Sequence, residues 1–451
     1  MFITDIKRNT GTTIGHVGLA FIAEMARISG LGRLVDRLSP AQVPQIKEHE
    51  IFRTLAGLIS QGKTDFDHVR AYSGNDFFTT SLGLGWIPSS EILRQRFQSI
   101  ALKSDIEAHL PQCSVELWKR AGMRPEYIEI TDKDSKRTWV RLDIDVSIFD
   151  NGDTKKEGAS PTYDKQFGFA PIFSHLGGGW LVNAELRPGS SHSSCAGTDD
   201  FILESVGYAQ AMVREPILAV ADSGFDSQER ACVLIDQPDT DFIIKHNLRR
   251  EPVEGWLALA EAHAEVVEQY TAGKERGEIY RGVITRKIGA KKNRRKVRQV
   301  FEVTKVRSKD GVYLLTPDIR VCVLWTSLDL PPSEVLRLYR ERGTSEQYHG
   351  EFKTELDMER LPSGKFAVNA TFLRLGMLVY NMLRVVGDDL VTARMLGLKT
   401  ATRRRTKTVM RCVMNMCGRI THHARRTILH VACSPPWYEV ISGLFHRLKT
   451  A

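Results

Sequence analysis

Long apolar runs are missing from this sequence. No stretch approaches the ~18 uninterrupted apolar residues that a membrane span requires, and Met1 to Thr10 lacks the apolar segment of a secretory leader. The expectation is therefore a cytoplasmic protein with no membrane partner. Cysteine is scarce. The seven present are scattered and odd in number, which excludes a disulfide framework and suits a reducing interior. Neither a GxxxxGK[ST] phosphate loop nor a G-x-S-x-G nucleophile turn occurs, so NTPase and hydrolase readings have no anchor. Cys412, Cys417, His422, His430 and Cys433 match no usual zinc spacing and lie in an Arg-rich tail.

What is present describes a folded protein with a real core: 42% hydrophobic and 26% charged residues. With ~150 residues per domain as a prior, 451 residues allow roughly three domains. Lys and Arg number 63 against 54 Asp and Glu, a net charge of +9. The excess is unevenly placed. Eight basic residues and no acidic one fall between Thr285 and Gln299, and Lys399 to Lys449 holds eleven Lys or Arg against Glu439 alone. Clusters of this kind meet a polyanion, although a single charge run is more often a solvated face.

Residues 1 to about 125 carry apolar residues at helical spacing. One helix, capped by Ser89 or Ser90, offers Arg94, Gln95 and Arg96 on its polar side, a set suited to a DNA major groove or to an ordinary surface. At Arg137 the period changes to two. In RTWVRLDIDVSIFD, Leu142, Ile144 and Val146 share one strand face, and Asp143, Asp145 and Ser147 the other. Two aspartates two apart on one face repel unless a cation separates them. FGFAPIFSHL and GWLVNAELR read as a hairpin, with His192 in the polar loop beyond. Ile217 to Ala221 reads as a strand buried on both faces, and Asp222 follows it, at the carboxyl end where open α/β sheets place their chemistry. A helix from about Ser227 and the strand DFIIKH complete a β-α-β pattern. From Arg249 to Thr316 the β-branched segments predict an insertion whose basic hairpin turns at Gly289-Ala290-Lys291-Lys292-Asn293. VCVLWTSL then resumes the core, and the chain from Asn369 reads as helical.

Ser333 to Glu355 reads as one charged helix. Tyr339, Arg342, Glu346 and Lys353 stand at offsets 0, 3, 7 and 14, which at ~100° per residue share a stripe ~60° wide. Alone, that stripe also fits a solvated, ion-paired face. Beside Asp145 (or Asp143) and Asp222 it supplies a third acid on a separate element, the set that two-metal phosphoryl transfer requires.

These motifs resemble the DDE transposases of bacterial insertion sequences, in the branch with a β-strand insertion between the second Asp and the Glu. The branch signature of Tyr, two residues, Arg, three residues, Glu, six residues, Lys is reproduced by Tyr339, Arg342, Glu346 and Lys353. Ala221 to Phe225 resembles its second-Asp motif and Leu142 to Ser147 its first; residues 187–192 and 342–346 resemble the subgroup called DDE transposase group one. Strand geometry leaves Asp143 and Asp145 open, and the family's pattern of Asp two residues before Ser or Thr selects Asp145. Better-known relatives have Trp after the signature Arg, where this chain has Gly343.

The resemblance implies an α/β fold with an RNase H-like core, a mixed sheet flanked by helices, with a β-rich insertion and helical N- and C-terminal regions. The divisions expected are 1–130 for DNA end binding, 131–248 and 321–388 for the core, 249–320 for the insertion, and 389–451 for a basic helical end. It implies Asp145, Asp222 and Glu346 as catalytic Mg²⁺ ligands, with Mn²⁺ as substitute, and Tyr339, Arg342 and Lys353 as phosphate-binding residues. Terminal inverted repeats and target DNA are the implied partners, a homodimer in the synaptic complex the implied assembly, and the nucleoid the implied location. An inactive DNA-binding relative acting as a repressor, and a structure-selective nuclease, are the alternatives.

Overall fold

The computed structural model describes residues 13–39, 47–132, 135–152, 154–249, 251–290, 292, 294–393, 401–423, 426–433 and 437–451. After the short strand Thr13–His16 come the helices α1 (Gly18–Ile28), α2 (Leu31–Leu38), α3 (Glu48–Ile59), α4 (Asp76–Leu82), α5 (Ser90–Lys103) and α6 (Ile106–Arg120). Each buries the apolar face that its spacing creates. In α5 that face is Leu93, Phe97, Ile100 and Ala101, and Ser89 caps the start by accepting the Ile92 N–H at 3.3 Å. The polar side of α5 is partly spent inside the protein. Arg96 pairs with the buried Glu48 of α3, Arg94 stands 3.5 Å from Asp67, and Gln95 is exposed.

A ten-stranded mixed sheet follows. Its strands are β1 (Tyr127–Asp132), β2 (Ser135–Val146), β3 (Ile172–Leu176), β4 (Trp180–Glu185), β5 (Ile217–Ala221) and β6 (Thr240–Lys245), then β7 (Ala264–Ala272), β8 (Glu275–Ile288), β9 (Arg295–Lys309) and β10 (Val312–Thr326). They lie in the order β7-β8-β9-β10-β6-β5-β2-β3-β4, with β1 paired to β2. β2, β5 and β6 run parallel, and β3 and β4 antiparallel to their neighbours. α7 (Thr198–Met212) crosses from β4 to β5, and α8 (Gln228–Ile235) from β5 to β6. Order, direction and crossovers together make the expected RNase H-like core. The β2 alternation is one of chemistry more than of exposure. As a central strand it buries Arg141 and Asp143 along with Leu142 and Ile144.

α9 (Val253–His263) opens the insertion and packs on β8, β9 and β10. α10 (Pro332–Arg340) and α11 (Ser345–Gly350) follow the sheet, then the 27-residue α12 (Phe366–Thr392), α13 (Thr406–Val409) and α14 (Trp437–Thr450). α12 is long and apolar enough to cross a bilayer, but 83% of its most apolar window is packed inside the protein. It touches α5, α6, β4 and α14 and is the central core helix.

Four expectations need correction. FGFAPIFSHL is two strands: Phe167–Phe169 joins Phe149–Asp150 and Ser160–Pro161 in a small separate sheet, and β3 joins the main one. Pro171, lacking an N–H, sits at the break. The insertion is no separate module, because β10 pairs with β9 and, through Leu324 to Thr326, with β6. A boundary at 320 therefore falls inside one strand. The C-terminal region is not all helical, since Cys417–His423 and Arg426–Val431 pair with each other and with Thr13–His16. Its Ile420, Thr421, Thr427, Ile428 and Val431 are β-branched, which suits strands. Finally, regions 1–130 and 389–451 have no cores of their own, because one hydrophobic cluster runs from Val17 to Leu448. Of the expected basic turn, Lys291 and Asn293 lie outside the described residues.

Candidate active site at the carboxyl ends of two parallel strands

β2 and β5 pair in parallel from Val140 with Ile217 to Ile144 with Ala221. The next residue on each strand is an aspartate, Asp145 and Asp222, so the register brings the two to adjacent strand ends. Asp145 Oδ1 accepts the Val146 N–H at 2.9 Å, and Oδ2 faces Arg342 Nη2 at 3.0 Å. Asp222 caps a 3₁₀ turn, Ser223–Phe225, by accepting the Gly224 N–H at 2.9 Å. That turn is fastened from several sides. Phe225 is fully buried, Ser194 Oγ donates to the Gly224 carbonyl at 2.7 Å, and Arg230 Nη1 donates to the Phe225 carbonyl at 2.6 Å. A Cβ on Gly224 would come within 2.7 Å of Ser193 Oγ, so a side chain there would displace Ser193.

Asp143 has different company. It is buried at 4% exposure and pairs in register with His175 of β3. Burial pushes its carboxyl up to about 7, against the pull of Arg141 and Arg342. Asp145 and Asp222 are also raised by burial. Asp145 adds like-charge repulsion on Asp222, and Glu346 adds it on Asp145, while Arg342 opposes both. Asp145, Asp222 and Glu346 thus share one electrostatic neighbourhood.

Ser333 to Glu355 is not the single regular helix that the stripe assumed. α10 ends at Arg340, a 3₁₀ turn covers Glu341–Thr344, α11 follows, and a π turn closes Glu351–Glu355. A bond within the segment accompanies each irregularity. Ser345 Oγ donates to the Arg342 carbonyl at 2.8 Å. The Leu356 N–H reaches the Glu351 carbonyl at 3.0 Å, five residues back. Gly350 keeps helical dihedrals of −60° and −37°, so the path is not broken there. The 3₁₀ turn overwinds and the π turn underwinds, acting oppositely on the rotation of the stripe.

Each signature residue has a definite setting. Arg342 lies between strand end and helix, with Nη2 also donating to the Ile144 carbonyl at 3.1 Å. Tyr339 is raised by burial and feels Arg342 and Asp222. Glu346 is exposed. Lys353 Nζ donates to the Ile148 carbonyl at 2.7 Å and pairs with Glu359 at 2.9 Å, fastening the π turn to the loop after β2. His192 is exposed.

Among the described residues no three His, Cys, Asp or Glu side chains stand close enough to hold a metal ion, at the acids or in the Cys/His tail. The donor set at the acids nonetheless suits Mg²⁺. It offers carboxylate oxygens from separate elements, with Asp145 and Asp222 raised first by burial and then by a neighbouring acid, a condition that a divalent cation relieves.

Two neighbours escaped the sequence reading. His349 follows Glu346 by three residues and so shares its helix face. Its Nε2 lies 3.8 Å from Asp145 Oδ2, and burial pushes it down to about 4. The Glu-x-x-His spacing was the available signal. Lys245 ends β6 and acts on Asp222; its place at the carboxyl end of a parallel strand was the clue.

A family model described as transposase DDE domain group 1 matches residues 11–451. No curated protein matches the chain. Among solved structures, the chain is similar to the piggyBac transposase synaptic complex with hairpin DNA, determined by cryo-EM. The identity is 9% and the TM-score 0.41, with 97% of this chain and 82% of the other covered.

Proposed function

The chain belongs to the transposase DDE domain group 1 family, and on that premise we propose that it is the DNA transposase of a bacterial insertion sequence. It binds terminal inverted repeats, cleaves one strand at each end, and joins the freed 3′-hydroxyl to target DNA. The observation that supports this reading best is the meeting of Asp145 and Asp222 at adjacent parallel strand ends, with Arg342 paired to Asp145.

Asp145, Asp222 and Glu346 hold Mg²⁺, or Mn²⁺ in its place, and the bound ion supplies Lewis-acid stabilisation of the attacking and leaving oxygens. Arg342 and Tyr339 orient the scissile phosphate, the planar guanidinium matching its oxygens. Lys353 exchanges its bonds to Ile148 and Glu359 for the DNA backbone. In cleavage, a P–O bond forms from water and the P–O3′ bond breaks, the 3′-oxygen leaving as a hydroxyl. In joining, that hydroxyl forms the new P–O bond on target DNA and displaces a second 3′-oxygen. Exposed Lys287, Lys292, Arg294 and Lys296 near the β8–β9 turn contact phosphates. Two copies of the chain pair the two ends.

The test is incubation of the purified protein with its end DNA and Mg²⁺ or Mn²⁺. Strand cleavage followed by joining, both lost in Asp222→Ala, is the expected result. End binding without nicking would identify a repressor instead. Cutting of branched DNA without joining would identify a nuclease.

A further inference from the structure

A cavity of about 970 Å³ opens beside Asp143. Its wall combines the entry to β1, the β3–β4 turn, α10, α12 and the segment at Arg403. Among the described residues, five buried polar atoms on the wall have no hydrogen-bond partner: Arg141 Nε, Asp143 Oδ1, Trp180 Nε1, Arg384 Nε and Arg403 Nη1. Four of the five are donors. Buried polar groups are nearly always paired, so this concentration of donors around one space suits an occupant rich in acceptors.

Arg384 gives the ligand its charge. Several deep arginines elsewhere meet a carboxylate: Arg96 with Glu48, Arg187 with Glu185, Arg230 with Asp199 and Arg374 with Glu107. Arg384 has only two carbonyls, Gly178 at 2.9 Å and Arg404 at 3.1 Å. No ion-pair partner stands within reach of it among the described residues. It retains accessible surface although it is packed deeply enough for burial to lower its pKa. Of the wall carboxylates other than Asp143, Glu341 pairs with Arg141 and Arg337 and Glu129 with Lys136. Glu126 and Asp388 are exposed. Arg124, also exposed, stands in the wall without an ion pair among the described residues, next to Tyr127 at 42% exposure.

We propose that this cavity binds a phosphate group, with Arg384 as its charged anchor, the Arg141 and Arg403 guanidinium edges on either side, and Arg124 at the mouth. A guanidinium fork fits phosphate oxygens, and the Tyr127 ring offers a flat face to an attached base. The phosphate belongs either to a free nucleotide or to a DNA strand. The site is built from residues other than the three acids, so it stands or falls separately from the reading of those acids.

The test is calorimetric titration of the full chain with inorganic phosphate, then deoxyadenosine 5′-monophosphate, then a short single-stranded oligonucleotide. Saturable binding of phosphate is expected, weakened at least tenfold in Arg384→Met and several-fold in Arg124→Ala, and unchanged in Asp222→Asn. Tighter binding of the mononucleotide assigns the site to free nucleotides, and tighter binding of the oligonucleotide to DNA. Arg384→Met risks misfolding because it removes the bonds to Gly178 and Arg404. Arg124→Ala, at an exposed position, and quenching of fluorescence that Trp180→Phe removes then carry the decision. No saturable heat with phosphate, or equal affinity in Arg124→Ala and wild type, would overturn the proposal and leave a water-filled cavity.

Discussion

Arg342 Nη2 and Asp145 Oδ2 stand 3.0 Å apart, joining the helical segment after the sheet to the carboxyl end of a central strand. No comparable bond reaches Asp143, although it lies on the same strand face. Its carboxyl Oδ1 has no hydrogen-bond partner among the described residues. The two aspartates therefore differ in chemistry as well as in place, and substitution should separate them.

Asp145→Asn should reduce strand cleavage by roughly 10³-fold, or about 4 kcal/mol at ~1.36 kcal/mol per tenfold. Asp143→Asn should stay within about tenfold of wild type. The same pair differs in stability. The Asp143 carboxyl is raised from 3.8 to about 7. The stability it lends is full below its unfolded value and is lost as pH rises through its folded value. Urea melts from pH 4 to 8 should show this decline, of order a few kcal/mol, in wild type and not in Asp143→Asn. Equal slopes in both proteins would contradict the assignment.

His246 ties the Asp222 loop to the insertion. Nδ1 lies 2.9 Å from Asp226, four residues past Asp222, and Nε2 lies 3.0 Å from Glu251. Burial alone would lower its pKa, but these hydrogen bonds outweigh it and leave it raised. Its contribution is present below 6.5 and fades as pH climbs through the higher folded value. His246→Gln should flatten stability against pH between 6 and 9 in denaturant melts, and slow cleavage several-fold at pH 7.

Lys287 and Lys296 face each other across the β8–β9 hairpin, a like-charge pair that costs a few tenths of a kcal/mol or more. Replacing both with Ala should leave the melting temperature level or slightly higher. It should also weaken DNA binding and reduce the slope of log K against log salt by about 2. Anisotropy titrations at several salt concentrations would measure this, and an unchanged slope would remove the hairpin from the DNA surface.

Glu351 is wholly buried. It accepts the Thr406 N–H at 3.0 Å and pairs with Arg403. Glu351→Ala leaves that cation without its partner, and a loss of roughly 3–5 kcal/mol is expected by denaturant unfolding. Part of the positive charge near the C-terminus is thus internal wiring. Arg405 pairs with Glu355 and Arg447 with Asp389.

The strands that carry Asp145 and Asp222 were legible because local pattern suffices for them: alternation in β2, a buried run in β5, an acid at each end. The 3₁₀ and π turns flanking α11 were not, because they answer to distant bonds from Arg342 to β2 and from Glu351 to Thr406. The sheet joining Thr13–His16 to Cys417–His423 was hidden for the same reason, its two parts lying at opposite ends of the chain. Arg96 read as a groove contact because nothing near it in sequence announces Glu48.

β10 belongs at once to the insertion and to the core. A strand held on both edges cannot swing as a hinged arm. Any torque that a bound duplex applies at the β8–β9 turn is carried through one continuous sheet to β6 and on to the strand before Asp222. The β8–β9 turn and the strand before Asp222 are parts of one hydrogen-bonded sheet.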